Sequence, residues 1–198
     1  MTQHYFSEKQ DSPLRMQKIS STVRGKTFYF FTGSGVFSKE KIDDGSKLLI
    51  ESVQLKKEAH VLDLGSGYGP VGIILKKFFP TCDVTLSEIN ERAVHLAQSN
   101  AALNNVTVDI RQSNIFENVP EKFDVILLNP PQSAGKELCF QMITESINHL
   151  TKRGKLIIVA RHNKGGKELN KKMGSVFGNV SEGNKSAGFR IYESEKRE

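Results

Sequence analysis

From residue 60 onward the chain alternates short β-type runs with helical stretches, an order that restricts it to a mostly parallel sheet covered by helices on both faces. The runs are HVLDL (60–64), DVTLS (83–87), VTVDI (106–110), FDVILL (123–128) and GKLIIVA (154–160). Between them VGIILKKFF (71–79), ERAVHLAQSNAAL (91–103), ELCFQMITESINHL (137–150) and KELNKKMGSVF (167–177) carry helical apolar periodicity. Asn90 is the expected cap of the second helix, with Glu91 in its first turn.

The last segments break the alternation. FGNVSEG (177–183) and SAGFRIYES (186–194) lie so close together that they read as two strands joined by a short hairpin at GNKSAG. Upstream, TFYFFT (27–32) reads as a strand, and DDGSKLLIESV (43–53) as a helix opened by Asp43 or Asp44. No repeat, low-complexity tract or long linker divides the 198 residues. The expectation is one domain, with 1–55 an extension that packs on a core of 56–198.

Charge and cysteine content narrow the setting. A net charge of +6 favours a polyanionic partner. The two cysteines, Cys82 and Cys139, lack partners at metal-ligand spacing, so the expectation is a reducing cytoplasmic setting and no metal. The opening MTQHYFSEKQDSP has no apolar signal core, and no run approaches the roughly 18 apolar residues that span a bilayer. No membrane partner is expected.

VLDLGSGYGPVG (61–72) sets Gly65, Gly67 and Gly69 between an apolar strand and a helix. Glycine serves where φ is positive or where a ligand must approach without meeting a Cβ. The dinucleotide pattern GxGxxG fails, because its third glycine position is Pro70, a residue favoured at the first position of a helix. The turn is instead of the GxGxG type used with S-adenosylmethionine (SAM), which carries no phosphate. Asp63 suits the cationic methionine end of that cofactor. Glu88 follows the next strand about 20 positions past the turn, where a carboxylate accepts from both ribose hydroxyls.

A second motif ends the fourth run: LLNPPQSAGKE (127–137). Proline cannot donate to a sheet ladder, so Pro130 and Pro131 lie beyond the last paired residue, and the strand is expected to stop at Asn129. In a doubly wound sheet this tip lies beside the glycine turn, at the switch point where ligands bind. Asn129 offers an amide oxygen and Pro130 a carbonyl, on a backbone stiffened by Pro130 and Pro131. Two fixed acceptors can take both protons of an exocyclic amine and aim its lone pair at a sulfonium methyl group.

DLGSGYGPVG and NPP together resemble class I SAM-dependent methyltransferases that act on amino groups. HYFSEKQDSP (4–13), TGSGVFSKEKIDDGSKLLIES (32–52), NPPQSAGKE (129–137) and FGNVSEGNKSAGFRIYES (177–194) are similar to the small-subunit ribosomal RNA guanine-N2 methyltransferases of the RsmC type, in a short single-domain form. That resemblance implies a Rossmann-like α/β fold with a seven-stranded sheet whose last strand is antiparallel. It implies a loop of Gly35, Val36, Phe37 and Ser38 bordering the site, and a helix near the cofactor opened by Asp43, Gly45 and Ser46. The expected cofactor set is Phe37, Asp63, Gly65, Ser66, Gly67, Gly69, Glu88, Ile89, Asn114, Ile115 and Asn129, with Asn129, Pro130 and Pro131 as the catalytic group. The implied partner is ribosomal RNA or the small ribosomal subunit, with S-adenosylhomocysteine as co-product.

Three positions depart from the family pattern. Gln132 and Ser133 stand where relatives follow NPP with an apolar and then a basic residue, and Asn114 stands where many carry an acid. The NPP device serves any planar amine, so adenine N6 and protein glutamine fit the same residues. An accessory protein without catalysis would be expected to have lost one of the two motifs.

Two basic stretches are candidates for phosphate contact. The first holds Lys152, Arg153, Lys155, Arg161, Lys164, Lys167, Lys171 and Lys172 against the single acid Glu168; the second holds Arg15, Lys18, Arg24 and Lys26. Cys139, deep in a helix, reads as buried and inert.

Overall fold

The computed structural model describes residues 13, 15–36, 38 and 40–198. Phe37 and the segment 4–12 lie outside the described residues. Strands β1 (Met16–Val23) and β2 (Lys26–Gly33) form a hairpin, followed by helix α1 (Asp44–Ser52). Seven further strands build the main sheet: β3 (His60–Leu64), β4 (Asp83–Glu88), β5 (Asp109–Gln112), β6 (Phe123–Leu128), β7 (Leu150–Arg161), β8 (Ser181–Ser186) and β9 (Phe189–Glu195). Their order is β5-β4-β3-β6-β7-β9-β8, with β9 antiparallel to both neighbours and β3 to β7 parallel. Between the strands run α2 (Pro70–Phe78), α3 (Glu91–Leu103), α4 (Lys136–Ser146) and α5 (Lys167–Phe177).

Strand alternation sends successive side chains to opposite faces, so each inner strand feeds two cores. Val61, Val125, Leu127, Ile157 and Val159 face α1, α2 and α3. Leu62, Leu64, Ile126, Leu128 and Ile158 face α4 and α5. The chain winds outward from β3 to β5 and then returns to place β6 against β3. That reversal opens a crevice at the carboxyl ends of β3 and β6.

Several boundaries differ from the sequence expectation: α4 ends at Ser146, short of 150, β7 starts at Leu150, ahead of 154, and β8 starts at Ser181, later than 177. Strand β1 was not anticipated; its partner register closes on Arg24 and Gly25, both at positive φ, in a two-residue turn that matches strand twist. Ala187 and Gly188 make the same kind of turn between β8 and β9, tighter than the GNKSAG loop expected. The run VTVDI pairs only from Asp109. Val106 N–H instead donates to Ala101 O at 3.1 Å and Asn105 N–H to Ala102 O at 3.1 Å, with Asn105 at φ 52°. This Schellman closure of α3 consumes the residues that read as the strand's start.

The hairpin is tied to the core at both ends. Arg24 Nη2 donates to the carbonyls of Ile50, Glu51 and Val53 at 2.8, 3.2 and 3.0 Å, at the C-terminus of α1. The open edge of β2 is sealed by a helix. Asn100 donates to Phe31 O at 2.9 Å and accepts from Phe31 N–H at 2.6 Å; Asn104 does the same for Tyr29 at 2.7 and 3.3 Å. Four helical residues rise about 6 Å and two strand residues about 6.6 Å, so amides at i and i+4 on α3 match i and i+2 on β2.

Candidate active site

The glycine turn joins β3 to α2 through Gly65, Gly67 and Gly69, at φ 69°, 58° and 90°. Gly65 N–H and Ser66 N–H both donate to Ser87 O, at 2.8 and 3.0 Å, which ties the turn to the end of β4. A Cβ on Gly67 would meet nothing within 4 Å, whereas one on Gly69 would lie 2.8 Å from Ile73 Cδ1 and 3.0 Å from Leu86 Cδ2. Gly67 therefore opens onto the crevice. Gly69, expected among the cofactor residues, is not in the cavity wall; its lack of a side chain lets α2 pack on β4.

Around this turn lies a cavity of about 130 Å³. Its wall includes Asp63, Gly65, Ser66, Gly67, Glu88, Ile89, Asn114, Ile115, Asn129, Pro130 and Pro131, gathered from β3, β4, β6 and the loops after them. Val36 and Ser38 of the preceding loop also line it.

Asp63 and Glu88 are both buried. Asp63 Oδ2 accepts from Gly72 N–H at 2.9 Å, yet burial pushes its carboxyl up to about 7, against that bond and with a further push from Glu88. Glu88 Oε2 accepts from Gly67 N–H at 2.8 Å and Oε1 from Asn90 N–H at 2.9 Å. Burial still raises its pKa, opposed by these backbone donors. Asn90 caps α3 by accepting from Ala93 N–H at 3.1 Å, so one short loop holds both a helix start and the Glu88 carboxylate.

Ile115 sits at φ 52°, a strained conformation for a β-branched residue. Its carbonyl is held by the hydroxyls of Ser87 and Ser113, at 3.0 and 3.2 Å. The strain is fixed by buried hydrogen bonds and keeps Ile115 in the wall beside the exposed Asn114.

Strand β6 pairs through Leu128, opposite Leu64 and Ile158, over the expected run 123–128, and Asn129 stands just past the last paired residue. The Asn129 Nδ2 group donates to Asp43 Oδ1 at 3.2 Å and to Ser46 Oγ at 3.1 Å. Because a carboxylate only accepts, this fixes which end of the amide faces Asp43 and leaves Oδ1 turned away from it. Pro131, at φ −73° and ψ 72°, forms an inverse γ-turn in which Gln132 N–H donates to Pro130 O at 2.8 Å. The Pro130 carbonyl is thus not the wholly free acceptor expected from the sequence. It keeps one lone pair.

Gln132 adds two side-chain bonds. Its Nε2 donates to Lys164 O at 2.7 Å, and its Oε1 accepts from Arg161 N–H at 3.1 Å. It therefore clamps the NPP loop to the turn after β7. Sequence reading also missed Tyr68, Leu138 and Met142 in the wall. Tyr68 lies inside the GSGYG turn, so position alone could have marked it; its burial raises the phenol well above its ordinary pKa. Leu138 and Met142 have no signal beyond helical periodicity.

Cys139 is buried, and burial pushes its thiol up to about 11, consistent with an inert packing role. Among the described residues no group of three or more His, Cys, Asp or Glu side chains could hold a metal ion, and no helix is long and apolar enough to cross a membrane.

Known proteins are similar to this chain in sequence and fold. Uncharacterized protein YbxB of Bacillus subtilis is 39% identical over 200 residues, covering 99% of this chain and 100% of its own. Ribosomal RNA small subunit methyltransferase C of Hamiltonella defensa is 31% identical over 195 residues, covering 96% of this chain and 57% of the relative. The protein of the same name from Haemophilus influenzae is 34% identical over 144 residues, covering 71% and 43%. The chain spans about half the length of these two methyltransferases. The fold is that of the T. thermophilus 16S rRNA N2 G1207 methyltransferase (RsmC), solved with AdoMet and guanosine: the TM-score is 0.81 at 24% identity, over 96% of this chain and 53% of that one. The sequence model of the Methyltransferase small domain matches residues 27–193, a span that takes in the glycine turn, Glu88 and the NPP loop, and the chain belongs to that family.

Proposed function

We propose that the chain transfers a methyl group from SAM to the exocyclic N2 amine of a guanine in small-subunit ribosomal RNA. The observation that carries this reading is the pinned amide of Asn129, whose donor end is spent on Asp43 and Ser46 while its oxygen remains to accept from a substrate amine. The relatives named ribosomal RNA small subunit methyltransferase C support the substrate class.

The cavity wall fits SAM on several counts. Ser66 Oγ is buried without a protein partner, so a polar ligand group in the cavity would satisfy it. Glu88 accepts from Gly67 N–H and Asn90 N–H on its two oxygens, with Ile89 N–H a further backbone donor, and the roughly four acceptor sites of a carboxylate leave room for a ribose hydroxyl. Asp63 complements a cationic methionine end, Ile115 and Ile89 offer apolar contact to the adenine, and Asn114 offers an amide to its amino group. Gly65 and Gly67 let backbone approach the ligand.

The chemistry supplied by SAM is a methyl group on a cationic sulfur. Asn129 Oδ1 and the remaining lone pair of the Pro130 carbonyl accept the two amine protons and turn the nitrogen lone pair toward that methyl, with the backbone held by Pro131. Transfer of that methyl would leave the C–S electron pair on sulfur and the amine nitrogen cationic, and the nitrogen would shed one proton to solvent. Asn129 orients and does not deprotonate. Positioning supplies most of the rate.

The same reading treats 1–198 as one methyltransferase domain acting in the cytoplasm, with 1–55 an extension on the core; the Asn100 and Asn104 contacts to β2 support that division. The test is transfer of labelled methyl from SAM to unmodified small subunits and to their stripped RNA, followed by nucleoside analysis. Label in N2-methylguanosine is expected. Label in N6-methyladenosine or in protein would move the substrate class, and no label despite SAM binding would overturn the reading.

A further inference from the structure

The direction of β7 divides the basic stretch from Lys152 to Lys172 into two groups. The cavity lies at the carboxyl ends of the strands, so Lys152, Arg153 and Lys155, near the start of β7, sit at the opposite end of the sheet. Two of them are already paired there: Arg153 with Glu195 at 2.9 Å and Lys155 with Glu193 at 2.7 Å.

Arg161 ends β7 on the cavity side, and the turn that follows abuts the NPP loop through the two side-chain bonds of Gln132 to Arg161 N–H and Lys164 O. The turn is compact because of two glycines. Gly165 is at φ 96°, and a Cβ on Gly166 would lie 2.7 Å from Arg161 O. Arg161, Lys164 and Lys167 are exposed on this turn. The Arg161 guanidinium stacks 4.6 Å from the centre of the Phe189 ring, an arrangement that leaves its edge N–H groups for an anion. The nearby acid Glu168 is paired with Lys136 at 3.0 Å. Lys167 opens α5, where the helix dipole disfavours a cation.

Resting on the RNA reading above, we propose that Arg161, Lys164 and Lys167 form the surface that grips RNA phosphates flanking the target nucleotide, held in register with the acceptor loop by Gln132. Phosphate contact fixes orientation without reading sequence, which is what presenting one base to Asn129 requires.

The test is the Michaelis constant for RNA as a function of salt, for the wild type, for Lys164→Ala with Lys167→Ala, and for Lys152→Ala as the far-end control. The double variant should raise KM for RNA roughly 10-fold and make the slope of log KM against log salt shallower by about 1.5, as expected for two lost phosphate contacts. Its SAM affinity should be unchanged, and Lys152→Ala should match the wild type. A double variant with wild-type KM and slope, on RNA that the wild type methylates, would overturn this surface and leave the methylation reading standing. No methylation of any RNA by the wild type would overturn both.

Discussion

The side-chain amide of Asn129 and the carboxylate of Asp43 are hydrogen-bonded at 3.2 Å across 86 positions of sequence. The same Asp43 oxygen caps α1, accepting from Gly45 N–H at 3.0 Å and Ser46 N–H at 3.1 Å. One carboxylate thus both starts a helix and sets which end of the Asn129 amide faces the cavity. Ser46 Oγ, in the first turn of that helix, supplies the second contact to Asn129.

Asp43→Ser separates these roles, since serine is a good cap but lacks the carboxylate that holds the Asn129 amide. The melting temperature should stay near wild type, while kcat falls by about 100-fold, the scale of a misplaced acceptor. Combining it with Asn129→Ala should lower kcat no further than Asn129→Ala alone, because both changes remove one function. Steady-state kinetics of all three variants would show additive losses if Asp43 did not act through Asn129.

Gln132→Met removes both side-chain bonds to the turn after β7 and keeps the backbone bond to Pro130 O. Both lost bonds are at an exposed site, so stability should drop by no more than about 1 kcal/mol. The expected effect is on kcat, lowered about 10-fold by loosened positioning, with SAM affinity unchanged. Gln132→Glu keeps the acceptor for Arg161 N–H and loses the donor to Lys164 O, so it should fall between the two. Equal kcat in all three proteins would show that the clamp is passive.

Much of the core was legible from sequence because its elements are bounded by local breakers. HVLDL, FDVILL, ERAVHLAQSNAAL and KELNKKMGSVF fold over the expected residues as β3, β6, α3 and α5. The features that escaped are set by distant partners. β1 is polar on its outer face and becomes a strand through its register with β2. The Asp43 bond to Asn129 and the Gln132 clamp join loops that are far apart in sequence, and no spacing encodes them. Gly69 carries the same motif as Gly67, yet the packing of Ile73 and Leu86 assigns it a different task.

Asn100 and Asn104 differ in burial, and the difference sets their cost. Asn100 is fully buried and holds Phe31 N–H, Phe31 O and Tyr68 O. Asn100→Ala leaves these groups unpaired in the interior and should destabilise by about 3 kcal/mol. Asn104 is partly exposed, so water can replace it, and Asn104→Ala should cost about 1 kcal/mol. Denaturant unfolding of the two variants measures both. Equal losses would mean that burial does not set the cost of losing these amides.

The Asp63 carboxyl makes the ligand-free protein sensitive to pH in a defined direction. Its folded pKa of about 7 lies above the ordinary 3.8, so the folded state holds the proton longer than the unfolded chain. The stabilisation is therefore full below about 3.8 and is lost as pH rises through about 7. Glu88, the other buried carboxyl beside it, is shifted in the same direction by its burial and adds to the slope. Asp63→Asn should flatten the fall in melting temperature across this window, and Glu88→Gln should flatten what remains. A cationic ligand beside Asp63 reverses the preference, because it favours the ionised carboxylate. SAM affinity should then rise as pH passes through about 7, with proton release on binding below it, and Asp63→Asn should abolish most of that rise. Calorimetry in buffers of different ionisation enthalpy counts the protons. Binding that releases none at pH 6, in a protein whose stability does follow pH, would place the cationic end of the ligand away from Asp63.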